Sequence, residues 1–221
     1  MTHVVIIGAG GHGREVAEIL RHQAQAGTDV KLLGFVDDNH SLCGHTIDSL
    51  PVLGNWSWFD DTARPEFSVI CAVGSPHVCR HLVRKARARS LPFVNAISPL
   101  AYISPTAQLG WGIVVFPRVV VSTGVCLGNY CILNVGVTVS HDTQIGRYSN
   151  INPGVHLAGD VRVGEGCYVG MGTNVIQRRS IGSWAIVGAG SVVIRELPAN
   201  STAVGSPAHV IKTQEEGWHE R

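Results

Sequence analysis

The chain has 221 residues, 45% of them hydrophobic, with 17 Lys and Arg balanced against 16 Asp and Glu. That length suits two small domains, each able to bury its own core. Near-neutral charge gives no basic footprint for nucleic acid or an anionic membrane, so a small-molecule substrate is expected.

Residues 2–10, THVVIIGAG, read as a buried strand ending in glycines, and 13–24 read as a helix with Val16, Ile19 and Leu20 on one face. The opening apolar run is too short for a signal peptide or a spanning helix. Strands are predicted at 31–37 and 67–73, an Arg-rich helix at 76–89 and a short fourth strand at 92–96. Strands and helices in alternation imply a small, parallel, Rossmann-like α/β sheet over residues 1–97, with a junction near 95–99.

Between the first strand and helix, Gly8-Ala-Gly10-Gly11-His12-Gly13 fits GxGxxG, a turn whose amides can hold a diphosphate at a helix N-terminus. Asp37 and Asp38 end the next strand, where a dinucleotide fold places its ribose-binding acid. A nicotinamide cofactor, a sugar nucleotide, and glycines used only for a tight turn all fit this motif. The nicotinamide reading lacks a second domain for hydride chemistry, because a repeat occupies its place.

From Ile103 every sixth residue is Ile, Leu or Val, through 109, 115, 121 and on to 193 without a miss. Glycine follows the aliphatic at 110, 128, 146, 164, 170, 182 and 188, and small residues often stand four places after it. Such a hexapeptide beat is a parallel β-helix over residues 98–212. Each hexad gives a short strand and a corner, and the glycines are expected to ease the turns. Three hexads make a coil of eighteen residues, so residues eighteen apart stack. About five coils are expected, followed by a peripheral tail, 213–221.

The six cysteines, at 43, 71, 79, 126, 131 and 167, have neither CxxC nor zinc-finger spacing. Buried free thiols in a reducing, cytoplasmic setting follow. No metal is expected: a zinc site shared between subunits needs three histidines, and the repeat offers only His141 and His156.

Taken in order, GAGGHG, FVDD, AVGSPHVCR, the hexapeptide repeat with SHD, and VGSPA resemble the NeuD/PglD-type family of sugar acetyltransferases. The likeness spans nearly the whole chain. It implies a left-handed coil, a homotrimer, and acetyl-CoA held between neighbouring β-helices. The acceptor it implies is a nucleotide-linked 4-amino-4,6-dideoxy sugar, UDP-linked by preference, with GDP- and dTDP-linked sugars open. Gly10, Gly11 and His12 would contact that substrate, Asp37 and Asp38 its ribose or base, and Gly74 the pocket floor. Asn150, Met171 and Ala189 stand at the positions implied to contact coenzyme A, Asn150 where many relatives carry a histidine. The same resemblance admits a sialic acid O-acetyltransferase, while a non-catalytic binding trimer would not need SHD.

His141 is the candidate general base, since acetyl transfer to an amine requires a proton to leave nitrogen near neutral pH. Asp142 is its candidate partner, although neighbouring strand residues diverge unless they meet at a corner. Coil arithmetic puts Gly159 one coil beyond His141. The expectation is a gap there that admits the thioester, with a nearby amide as oxyanion donor.

Overall fold

The structure, a computed structural model, describes residues 1–61, 63 and 65–220. Strand β1 (Thr2–Ile7) leads through the glycine turn into α1 (Gly11–Gln25), and β2 (Val30–Val36) follows. A short β3 (Thr46–Ile47) and β4 (Leu50–Gly54) precede β5 (Ser68–Cys71) and α2 (Pro76–Arg87). The sheet order is β3-β4-β2-β1-β5, parallel except for β3 at the edge. Val16, Ile19 and Leu20 of α1 are buried, as their helical spacing predicts.

Two sequence expectations change here. Strand β4 carries Pro51, which lacks a ladder N–H, and this disguises a short strand. The fourth strand expected at 92–96 reduces to a single bridge between Phe93 and Val69. Strand β6 (Ala96–Ile97) already pairs with Val114–Val115 of the repeat.

Beyond β6 the chain winds as a left-handed parallel β-helix with three faces of two-residue strands, the first face ending in the longer strands Ser201–Val204 and, antiparallel to it, His209–Thr213. Successive coils pair in register eighteen residues apart, as in Thr138 with His156 and Val139 with Leu157. The repeating aliphatic points inward: from Val115 to Val193 every member of the series is buried. The small residues four places later are a second inward series. Their polar members are satisfied by main-chain carbonyls: Thr143 Oγ1 donates to Ala158 O at 3.0 Å and Ser149 Oγ to Gly164 O at 2.8 Å.

The glycines after the aliphatics do not make the corners. Every sixth residue from 112 to 190 has a positive φ, and that position lies three places after the aliphatic, shared by glycines and by Arg118, Tyr130, Asp142, Tyr148, Asp160, Arg178 and Trp184. The glycines directly after the aliphatics are instead required by close stacking. A Cβ on Gly128 would stand 2.5 Å from Arg147 N, and one on Gly164 2.5 Å from Ser183 N.

The α/β domain lies against the first face of the coil. Gln23 Oε1 accepts from Ile97 N at 3.1 Å, Phe93 meets Tyr130 edge-on, and Val114, Ile132 and Asn150, which point out of the coil, are buried beneath the domain. Higher on that face Tyr168 is exposed, so a cavity opens where the cover ends. Among the described residues no helix is long and apolar enough to cross a membrane. All six cysteines are free; Cys71, Cys79, Cys131 and Cys167 are buried, whereas Cys43 is exposed and Cys126 half-buried, contrary to the expectation for those two. Burial pushes the Cys131 and Cys167 thiols up to about 12.

Candidate active site

His141 follows a strand of the second face, and Asp142 occupies the corner position, with φ +61°. This left-handed residue turns two consecutive side chains toward one another, which an extended strand does not allow. His141 Nδ1 lies 2.9 Å from Asp142 Oδ2. With the carboxylate accepting the Nδ1 proton, Nε2 carries a free lone pair. The side chains are 61% and 67% exposed, so the pair is open to a reactant.

A Cβ on Gly159 would stand 2.5 Å from His141 Cε1 and 3.1 Å from Cδ2. Gly159 therefore lies beneath the imidazole, as the coil arithmetic predicts. The vacant gap does not exist: the histidine ring itself fills it. One coil earlier, a Cβ on Gly124 would be 2.6 Å from Asp142 Oδ1. The pair is thus seated between two glycines. Gly124 was discoverable from sequence by subtracting eighteen from Asp142.

A second constellation lies at the domain junction. Gly10 caps α1 with no side-chain hydrogen bond, and a Cβ on Gly10 or Gly11 would meet nothing within 4 Å. Gly8, at φ +106°, makes the tight turn, and a Cβ on Gly13 would collide with the Gly8 carbonyl. The three motif glycines thus divide into turn, open amide surface and close packing. Asp37 is absorbed by the turn, its Oδ2 accepting from Ala9 N and its Oδ1 from Asn39 N, both at 2.8 Å. Asp38 is exposed, 3.5 Å from Lys85 Nζ, and Lys85 lies 4.4 Å above the Trp56 ring.

Between the domains is a cavity of about 490 Å³, lined by His12, Gly74 and Asn150 and walled by Tyr168, Trp184 and Trp218. Asn150 is buried; its Nδ2 donates to Gly74 O at 2.6 Å, leaving Oδ1 buried without a partner. The His12 ring stacks on Phe116, and its Nε2 is also buried and unpartnered. Burial holds His12 below its ordinary pKa, opposed by the nearby Glu15 carboxylate. The start of α2 faces the same space through Ser75, Pro76 and His77, so partial positive charge from a helix N-terminus adjoins it.

The predicted residues therefore form separate groups. His141, Asp142 and Gly159 meet at the corner between the second and third faces. His12, Gly74 and Asn150 meet at the cavity on the first face. Met171 and Ala189 are exposed on adjacent coils at the corner between the first and second faces, away from both. Trp184 and Trp218 escaped sequence reasoning, and the segment expected to be peripheral in fact supplies a wall of the cavity. His156 forms a 2.8 Å hydrogen bond between Nδ1 and Thr138 Oγ1. Among the described residues no three His, Cys, Asp or Glu side chains form a metal-binding group.

Residues 3–86 match the PglD N-terminal domain family, and 142–177 match the bacterial transferase hexapeptide (six repeats) family. No curated protein sequence matches the chain. A mutant perosamine N-acetyltransferase from Caulobacter crescentus, in complex with CoA and GDP-perosamine, is 34% identical with a TM-score of 0.89, covering 96% of this chain and 98% of that one. The acetyltransferase domain of PglB from Neisseria gonorrhoeae is 33% identical, TM-score 0.88, covering 96% and 100%. WeeI from Acinetobacter baumannii is 26% identical, TM-score 0.86, with the same coverage. The chain belongs to the PglD/NeuD-type family of hexapeptide-repeat sugar N-acetyltransferases. It is accordingly an enzyme, an acyltransferase.

Proposed function

We propose that the protein transfers the acetyl group of acetyl-CoA to the 4-amine of a nucleotide-linked 4-amino-4,6-dideoxy sugar, with His141 as general base. The observation that carries this reading is the exposed His141–Asp142 pair, with its Nδ1 engaged at 2.9 Å and its Nε2 lying over Gly159, where no side chain covers it. The amine attacks the thioester carbonyl and gives up a proton to Nε2. As the tetrahedral intermediate collapses, the C–S bond breaks and the same proton returns to the departing coenzyme A sulfur. Asp142 holds the ring in one tautomer and steadies the imidazolium. The Gly159 amide, beside the ring, is the proposed donor to the developing oxyanion.

The acceptor is proposed to lie in the interdomain cavity. Open amides at Gly10 and Gly11, together with the α2 N-terminus, suit a diphosphate. Asp38, exposed and held only by a 3.5 Å contact from Lys85, suits ribose or base better than Asp37, both of whose oxygens accept main-chain hydrogen bonds. The unpartnered Asn150 Oδ1 suits a donor such as an amine, so Asn150 is assigned to the acceptor in place of coenzyme A. Met171 and Ala189 remain as coenzyme A contacts through apolar surface and main chain.

His141 and the cavity lie on different sides of one coil, so a second copy is needed to bring base and acceptor together. We propose the homotrimer for this reason, with the exposed second face, bearing Tyr102 and Val120, meeting the neighbour. The structurally similar enzyme from Caulobacter crescentus was solved with CoA and GDP-perosamine, which supports the substrate class.

The test is thiol release from acetyl-CoA with a panel of UDP-, dTDP- and GDP-linked 4-amino sugars and free sialic acid. Turnover of a UDP-linked amino sugar is the expected result. Turnover of sialic acid alone would replace N- with O-acetylation, and no thiol release from any acceptor would remove the reading.

A further inference from the structure

One wall of the cavity comes from Trp218, in a turn over residues 218–220 that packs on α2 and on a corner of the coil. Two contacts hold this turn. Arg80 Nη2 of α2 pairs with Glu220 Oε1 at 2.6 Å, and the Arg80 side chain is only 11% exposed. The His219 ring lies parallel to the Trp184 ring with centroids 3.8 Å apart. Arg80 Cζ also stands 5.3 Å from the Trp184 ring centroid. Trp184 has room at its coil corner because a glycine stands eighteen residues before it: a Cβ on Gly166 would be 2.5 Å from the indole Cδ2. A column of stacked coil residues thus ends in an aromatic platform, and the turn is bound to it.

The result of this anchoring is the placement of Trp218. Its ring lines the cavity opposite His12 and Asn150, with His77 6.1 Å away centroid to centroid. Its Nε1 is buried and has no hydrogen-bond partner. An indole N–H can only donate, and a buried donor left unpaired is destabilising. That cost is removed when a ligand oxygen meets it.

We propose that Trp218 determines acceptor specificity, with its indole closing the cavity over the pyranose and its Nε1–H donating to a sugar oxygen. Glu220 and His219 are positioning residues that hold it there. The proposal rests on the assignment of the cavity to the amino sugar. An acceptor lacking the matching oxygen leaves the N–H unpaired and is rejected more strongly than an apolar contact would achieve.

The experiment compares wild type, Trp218→Phe, Trp218→Ala and Glu220→Gln by steady-state kinetics with acetyl-CoA and the panel of nucleotide 4-amino sugars. Trp218→Phe keeps a ring and removes the N–H; it is expected to raise the acceptor KM about tenfold and to narrow the ranking among acceptors. Trp218→Ala should do more, and Glu220→Gln less, while the KM for acetyl-CoA stays within twofold in all three. If the wild type turns over but both Trp218 variants keep the acceptor KM and ranking, the proposal falls and the cavity assignment stands. If the wild type acetylates none of the panel, the assignment fails and the proposal with it.

Discussion

The imidazole of His141 occupies the space that a side chain on Gly159 would need, one coil further along. Gly159 is not in the left-handed region, so its backbone accepts a Cβ. The conflict falls on the exposed ring, which can swing away at little cost to folding. Gly159→Ala should therefore leave stability within about 0.5 kcal/mol of wild type and lower kcat at least tenfold. Urea unfolding and thiol-release kinetics on the same preparation check both halves; undiminished kcat would show that the ring position is immaterial.

Removing the base outright should have a larger effect. His141→Ala is expected to lower kcat by about 10²–10⁴, with the thermal midpoint and the KM for acetyl-CoA retained. Asp142→Asn keeps a residue tolerant of positive φ at this corner while removing the carboxylate that fixes the tautomer. Its kcat should fall between the two, and calorimetric titration of coenzyme A should be unaltered. An Asp142→Asn enzyme as fast as wild type would leave His141 acting alone.

The hexad beat was legible because burial imposes it: an inward residue recurs wherever a corner recurs, and eighteen residues return the chain to the same edge. This carried the reading as far as Gly159 beneath His141. It could not say which side of the gap would be filled, since ring direction depends on Asp142 taking φ +61°, a property of the corner and not of the period. The Trp218 turn was illegible for a different reason. It has no periodicity of its own, and its strongest tie joins Arg80 to Glu220 across 140 residues of sequence. The hydrogen bond from Asn150 Nδ2 to the Gly74 carbonyl was equally illegible, because it crosses the domain junction and follows no period of the repeat.

The glycines of the turn should separate by role. Gly13→Ala drives a Cβ into the Gly8 carbonyl, where only backbone movement relieves it, and is expected to destabilise the α/β domain by about 1–3 kcal/mol. Gly10→Ala meets nothing within 4 Å, so the fold should be unaffected while the Cβ obstructs the open amides. Its expected signature is a raised acceptor KM with an unchanged thermal midpoint. An acceptor KM left unchanged by Gly10→Ala would mean that the open surface at Gly10 has no binding role.

His12 links that surface to the cavity, and its burial makes stability depend on pH. The folded ring is held below the ordinary value of 6.5, chiefly by burial. As pH falls through 6.5, the unfolded chain takes up a proton that the folded ring still refuses. The unfolded state then binds more protons, and stability declines until pH reaches the lowered folded value. His12→Gln removes this contribution and keeps a polar group facing the cavity. Its unfolding free energy, followed by urea titration from pH 7.5 to 5.5, should lose less on acidification than that of wild type. Parallel curves would mean that the ring protonates as readily in the folded protein as in the unfolded chain, and that its packing against Phe116 leaves it accessible to water.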